Sequence, residues 1–333
     1  MRYKVNRRRF MRIVAATASC GLAGAGARAF AAEPAGATWR GIAMGNLASI
    51  EIRHSDPARS NALLADAIEE LQRLESILSL YRPQSALSTL NRDGILRDPP
   101  FDLVRVLTEA QRFGHLSHGR FDVTVQPLWT LYAGHFAKPD CDPNGPAADL
   151  VRKATALVDY RAIAIDPDRI RFEHPGMQVT LNGIAQGYIT DRISDLFRSE
   201  GLDHALVDLG EIFAVGARDG ADPWTAGIEN PMNRDAILAD VPLVDKALAT
   251  SGGYGFKFDP AGRFNHIFDP ATGASPHRYA SVSVVAGNAT AADALATAAT
   301  LLPPDALERM LREAGAERAL IVDTEGQKRW LIA

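Results

Sequence analysis

The segment Asn265–Thr300 reads NHIFDPATGASPHRYASVSVVAGNATAADALATAAT. It contains a strand signal, a turn signal and a helix signal in that order. Ser281 to Val285 is an apolar, β-branched run of strand length. It leads through Gly287-Asn288 into a small-residue helix that carries Asp293 and Thr297 four residues apart. Side chains at that spacing rise from one helix face, one turn apart. A carboxylate beside a hydroxyl offers hard oxygen ligands, suited to Mg²⁺ when phosphates fill the remaining positions. Upstream, His266-Ile267-Phe268-Asp269-Pro270 runs into Ala271-Thr272-Gly273, where Pro and Gly mark a tight turn.

Working outward, Met44 to Ile52 reads as a strand. Asp56 caps a long helix from about Pro57 to Leu80, with Leu63, Leu64, Ala67, Leu71, Leu74 and Leu78 at helical spacing. Phe101 to Phe113 and Gln186 to Arg198 read as two further helices, and Ala137 to Gly145 as a polar, turn-rich loop. Short strands are predicted at Ala162 to Ile165, Gln178 to Leu181, Ala205 to Leu209, Trp224 to Ile228 and Leu248 to Thr250. Arg318 to Asp323 and Lys328 to Ile332 are expected to pair around Glu325-Gly326. Strands and helices mix without strict βαβ alternation, so the expected class is α+β.

The first residues read as an address rather than as fold. Arg7-Arg8-Arg9-Phe10-Met11-Arg12 has the pattern of a twin-arginine signal, followed by a short Ala- and Gly-rich stretch from Ile13 to Gly26. Ala27-Arg28-Ala29 and Ala29-Phe30-Ala31 are both A-x-A cleavage candidates, which predicts a signal peptide over 1–31 and one domain over 32–333, delivered to the periplasm. Ala18-Ser19-Cys20-Gly21 offers a lipid-anchored alternative through Cys20, with Thr17 where such sites carry Leu. Gly24-Ala25-Gly26-Ala27-Arg28-Ala29 spells a dinucleotide fingerprint but has no strand before it. After cleavage Cys141 would be the remaining cysteine, which excludes an intramolecular disulfide. The remaining chain would carry 29 basic against 40 acidic residues, an acidic balance that argues against nucleic acid or anionic lipid as a partner. No H-E-x-x-H spacing is present, and no G-x-S-x-G surrounds Ser251. His266 is the general acid/base candidate, since an imidazole titrates near neutrality. The other reading of His266 is a structural ring bonded to a backbone carbonyl.

Several ordered segments resemble one family, the ApbE family of Mg²⁺-dependent FAD:protein FMN transferases. The 265–300 run is similar to its H-I-I-D-P-x-T-G, S-V-T-V and A-D-A-L-x-T signature. Ala43-Met44-Gly45 resembles the first family strand, and Leu80-Tyr81 with Ser85, Leu87 and Leu90-Asn91 resembles S-x-Y-x-x-x-S-x-L-x-x-L-N. Gly119-Arg120-Phe121-Asp122-Val123-Thr124-Val125 with Pro127-Leu128 is similar to G-x-F-D-P-T-V-x-P-L. Asn182-Gly183-Ile184-Ala185-Gln186-Gly187-Tyr188 is similar to G-G-I-A-K-G-Y, and Thr250-Ser251-Gly252 with Tyr254 matches T-S-G-x-Y.

The resemblance implies a mixed α/β fold and transfer of FMN from FAD to a Thr or Ser of a target flavoprotein, with AMP released. It implies Gly183, through its carbonyl, as a third metal ligand beside Asp293 and Thr297. Met44, Tyr81, Arg120, Phe121, Asp122, Thr180, Gln186 and Phe268 are the implied nucleotide contacts. From the residues alone, Tyr81 is either a stacking ring or an aromatic cap on the core, and Asp122 either accepts from the nucleotide or caps a turn. Thr180 stands where the family usually has Asp, Gln186 where it has Lys or Glu, and Ala296 where some members carry a second Asp. Both changes at 180 and 186 remove charge and leave hydrogen-bonding capacity. The N-G-I-A-Q-G-Y variant with the twin-arginine pattern resembles the NosX-type branch, linked to flavinylating a partner of nitrous-oxide reduction, a membrane-associated electron-transfer subunit. Two other functions fit the same residues: a Mg²⁺-dependent FAD pyrophosphatase giving FMN and AMP, and a non-catalytic flavin-binding maturation protein.

Overall fold

The computed structural model describes residues 36–333. The twin-arginine pattern, both cleavage candidates and Cys20 lie outside the described residues. Among the described residues, eight strands form one sheet whose spatial order follows the chain. They are Gly36–Ala43, Asn46–Arg53, Ala205–Asp208, Ile212–Val215, Lys246–Ser251, Tyr279–Ala286, Arg318–Asp323 and Lys328–Ile332. Every neighbouring pair is antiparallel. Helices and a second ribbon are inserted between these strands, so the α+β expectation holds and the mixed architecture is the observed one.

Period-two alternation gives the sheet two apolar faces. Val207, Phe213, Ala247, Ala249, Val282 and Val284 face the helices of the main core. Their neighbours Leu206, Ile212, Leu248 and Val285 face the other way, against Trp224, Ile228 and Val241. Those last residues belong to a ribbon of Trp224–Asn230 paired with Asn233–Leu243. The second of these strands was hidden in the sequence because its exposed half is polar. A smaller core lies apart, where Leu128 and Tyr132 of helix Gln126–Phe136 meet Phe268.

Asp56 accepts from Ala58 and Arg59 and opens helix Pro57–Leu78, whose buried stripe is the one its spacing predicts. Helix Ala289–Ala299 is opened by Asn288, which accepts from Ala291, and every residue of it except Thr297 is buried. A helix apolar all round belongs at the centre of a protein. This one packs on strands Lys246–Ser251 and Tyr279–Ala286 and on helix Ala185–Ser199.

Two strand expectations are corrected. The first strand ends at Ala43, and Met44-Gly45 is the turn of a hairpin, with Met44 at φ 48° and Gly45 at φ 85°. Gln178–Leu181 is outside any ladder. Asn91 instead brackets Val179, donating from Nδ2 to its carbonyl at 2.8 Å and accepting its N–H at 2.7 Å. The Thr180 N–H donates to the carbonyl of Val123. A side-chain amide has replaced the neighbouring strand, which periodicity cannot reveal.

Gly187 sets how closely two helices approach. A Cβ there would lie 2.3 Å from the Ala289 carbonyl oxygen. Gly187→Ala is therefore expected to lower stability by about 2 kcal/mol, since backbone must move. Gly134, in helix Gln126–Phe136, would meet nothing within 4 Å. Gly134→Ala should raise stability by about 0.5–1 kcal/mol through helix propensity. Urea unfolding of both variants checks the contrast, and equal effects of one sign would refute it.

Candidate functional site

Three separate segments converge on Thr297. Its Oγ1 lies 3.2 Å from Oγ of Ser251, the last residue of strand Lys246–Ser251. Gly183, in the turn before helix Ala185–Ser199, presses on it from another side. A Cβ on Gly183 would lie 3.0 Å from Thr297 Oγ1 and 3.4 Å from the Phe121 ring. Gly183, Thr297, Ser251 and Phe121 are thus one group, although they span well over a hundred residues of sequence.

Asp293 lies one helical turn before Thr297 and is 3% exposed. Its Oδ2 accepts the Gly187 N–H at 3.2 Å. Burial, reinforced by the nearby charge of Asp191, pushes its carboxyl up to about 7, far above the usual carboxylate range. Asp191 was missed in the sequence. Its carboxylate accepts the N–H groups of Ala289 and Thr290 at 2.6 and 2.8 Å, and also the Thr290 hydroxyl. It therefore braces the start of the helix that carries Asp293 and Thr297. Among the described residues no group of three or more His, Cys, Asp or Glu forms a metal cluster. A cation held here would depend on one carboxylate, a hydroxyl, a backbone carbonyl and oxygens of a ligand.

His266 lies in the segment 252–278, which follows strand Lys246–Ser251. Its backbone N–H donates to the Phe256 carbonyl at 3.2 Å, and its ring Nδ1 lies 3.2 Å from the same oxygen. A carbonyl oxygen only accepts, so Nδ1 carries the proton in this contact and Nε2 is the basic nitrogen of the neutral ring. The bond to a backbone carbonyl that the structural reading expects is present through Nδ1. The following turn is fixed by Asp269, whose backbone carbonyl accepts from Gly273 at 2.8 Å and whose carboxylate holds Arg120 at 3.0 and 3.1 Å. Phe268 is buried with its ring 5.2 Å from Tyr132. Beside the Arg120–Asp269 pair a cavity of about 520 Å³ opens, lined by Thr272, His277, Arg278, Thr300 and Leu301.

The remaining implied contacts fall into two kinds. Met44 donates its N–H to Glu75 at 2.6 Å, and Glu75 also pairs with Arg82, the residue after Tyr81, at 2.7 Å. Tyr81 is 69% exposed, which favours the stacking reading over a cap on the core. The other three are engaged inside the protein. Asp122 is buried and accepts from the Thr124 N–H and hydroxyl and the Tyr160 N–H, so the turn-cap reading is the observed one. Thr180 accepts the Asn182 N–H at 3.3 Å and shapes the turn before Gly183. Gln186 donates from Nε2 to the Leu209 carbonyl at 2.8 Å, against Gly210. That contact makes the residue a brace for the 209–211 turn.

A model of the ApbE family matches residues 44–321. The chain is 32% identical over 328 residues to the FAD:protein FMN transferase of Treponema pallidum (strain Nichols), covering 91% of this chain and 88% of that protein. It is 29% identical over 300 residues to the FAD:protein FMN transferase of Klebsiella pneumoniae (strain 342), covering 87% and 86%. The flavin transferase ApbE from Vibrio cholerae has the same fold, with a TM-score of 0.76 at 26% identity over 89% of this chain and 96% of that one. The ApbE protein from Thermotoga maritima gives a TM-score of 0.78 at 25% identity over 88% and 96%. Sequence and fold agree: the chain belongs to the ApbE family and is a transferase.

Proposed function

We propose that this protein is an exported, Mg²⁺-dependent FAD:protein FMN transferase. It joins FMN through a phosphoester to a Thr or Ser of a flavoprotein acceptor, here a membrane-associated electron-transfer subunit, and releases AMP. The observation that carries the reading is that Gly183 lies against Thr297, one helical turn from Asp293, whose buried carboxyl is pushed up to about 7. A divalent cation fits this donor set, because it compensates the buried charge that Gly187 alone does not. Asp293 Oδ, Thr297 Oγ1 and the Gly183 carbonyl would hold it, with the FAD diphosphate supplying further oxygens. When bound, Mg²⁺ neutralises the diphosphate and makes the AMP side a better leaving group.

The chain's own residues do the rest. Ser251 keeps Thr297 Oγ1 oriented. Tyr81 offers an exposed ring for stacking, and Arg120, held by Asp269, brings positive charge beside the site. Nε2 of His266 accepts the proton of the acceptor hydroxyl as its oxygen attacks the FMN phosphorus. The phosphorus–oxygen bond to AMP breaks, and AMP departs with that electron pair. The loss of Asp at 180 and of charge at 186 leaves these groups in place, so the site keeps its means of catalysis.

Incubation of residues 32–333 with FAD, Mg²⁺ and periplasmic flavoprotein subunits should add one FMN mass to a single Thr or Ser, and EDTA should stop it. AMP release without any mass gain would instead indicate the pyrophosphatase. Asp293→Ala should cost about 100-fold in turnover and Thr297→Ala about tenfold, since only the first removes charge; the reverse ranking in a Mg²⁺ titration would overturn the ligand assignment.

The metal-free protein should also report on the buried carboxyl. The folded-state value of Asp293, about 7, lies above that of an unfolded Asp. The stabilising protonated form is complete below the unfolded value and is lost as pH rises through about 7. Metal-stripped protein should therefore lose thermal stability from about pH 4 to about 7 and level off above, Mg²⁺ should restore it, and Asp293→Asn should be less pH-sensitive. A flat profile for the stripped wild type would contradict this.

Export has its own check. Replacing Arg7 and Arg8 together by Lys should leave the protein in the cytoplasm, followed by cell fractionation and immunoblotting. Periplasmic recovery unchanged by that pair would exclude the twin-arginine route.

A further inference from the structure

Helix Ala185–Ser199 is held at its first turn from two sides. On one side the Gly187 N–H donates to Asp293. On the other, the next residue, Tyr188, donates from its hydroxyl to Asp102 Oδ1 at 2.7 Å. Tyr188 is 5% exposed and Asp102 is also 5% exposed. The other Asp102 oxygen accepts from Arg73 Nη1 at 2.8 Å, and Arg73 is itself paired with Glu70 at 2.7 and 2.9 Å. Arg73 and Glu70 belong to helix Pro57–Leu78, and Asp102 to the first turn of helix Phe101–Leu116. A chain of charge-assisted bonds therefore ties three helices to the turn that carries Gly183 and Gly187.

We propose that Tyr188, acting through Asp102 and Arg73, is the positioning residue that seats the Gly183–Gly187 turn against Asp293 and Thr297. The metal consequence rests on the Mg²⁺ site proposed above; the positioning does not. A hydroxyl bonded to a buried carboxylate is stronger than a neutral pair. Without it, Asp102 Oδ1 keeps only Arg192, 4.0 Å away on the next turn of the helix that carries Tyr188, and the first turn is pinned on one side alone. Metal–ligand distances keep within about 0.2 Å of their usual values, so a small rotation of this turn is felt at a bound cation before it is felt by the fold.

Tyr188→Phe removes only the hydroxyl. Hydrogen exchange of residues 183–190 without metal should speed up about tenfold, with exchange of the sheet unchanged. The Mg²⁺ concentration for half-maximal thermal stabilisation, titrated with MgCl₂ alone, should rise about tenfold, in the range typical for groups behind metal ligands. The Mg²⁺ half-saturation of FAD turnover should shift alike, far more than the limiting rate. Asp102→Asn leaves one oxygen for two donors and sets its amide N–H against Tyr188 or Arg73, so it should lose Mg²⁺ affinity to a similar extent. Unchanged exchange over 183–190 in Tyr188→Phe overturns the positioning role, as does a lowered midpoint with unchanged Mg²⁺ half-saturation. Wild-type exchange and wild-type Mg²⁺ half-saturation in Asp102→Asn also overturn it. If the wild type binds no Mg²⁺ while the exchange still accelerates, the metal reading fails and the positioning role stands.

Discussion

Asp293 is a carboxylate set in the middle of a helix whose other residues are almost all buried. Ionising such a group away from water is costly unless something positive or hydrogen-bonding meets it. Much of the surrounding architecture follows from that constraint. Alanines line helix Ala289–Ala299, so strand and helix neighbours approach closely. Gly187 then lets helix Ala185–Ser199 come near enough for its backbone N–H to reach the carboxylate. A larger residue at 187 would open the gap and remove the one hydrogen bond that the first turn supplies.

The two neighbouring carboxylates solve the same problem in different ways. Asp191 sits against the start of helix Ala289–Ala299, where exposed N–H groups and the helix dipole favour negative charge. Its oxygens are engaged there by Ala289 and Thr290. Asp293 lies further along the helix, where the backbone N–H groups are already spent on the helix itself. Its compensation has to come from outside the helix. That difference separates the two, a part-buried Asp191 satisfied by a helix start and a buried Asp293 with a single N–H, although both are aspartates on facing helices.

The other candidate side chains repeat the pattern of a polar atom held by a partner from another segment. Thr297 is held by Ser251, Arg120 by Asp269 and His266 by the Phe256 carbonyl. Gln186 and Asp122 show the opposite allocation, their polar atoms being directed at Leu209 and at Thr124 and Tyr160. Residues of one motif therefore divide into those that face the site and those that build the turn beneath it.

Local signals in the sequence determined the α+β class, the capped helix at Asp56, the strand-to-helix passage at 281–299 and the pairing of Asp293 with Thr297. Each of these rests on periodicity, caps or i,i+4 spacing, which are properties of neighbouring residues. The ordered motifs also carried the family. Only the tertiary structure decided which atoms meet. It put Gly183 against Thr297, turned Asp122 and Gln186 inward, added Asp191, and replaced a predicted strand at 178–181 by the bracket of Asn91. It also moved Met44 from a strand into a turn. These outcomes depend on contacts between segments far apart in the chain, on the space that a glycine leaves and on the desolvation of a buried charge. Those quantities come into existence only when the chain is folded.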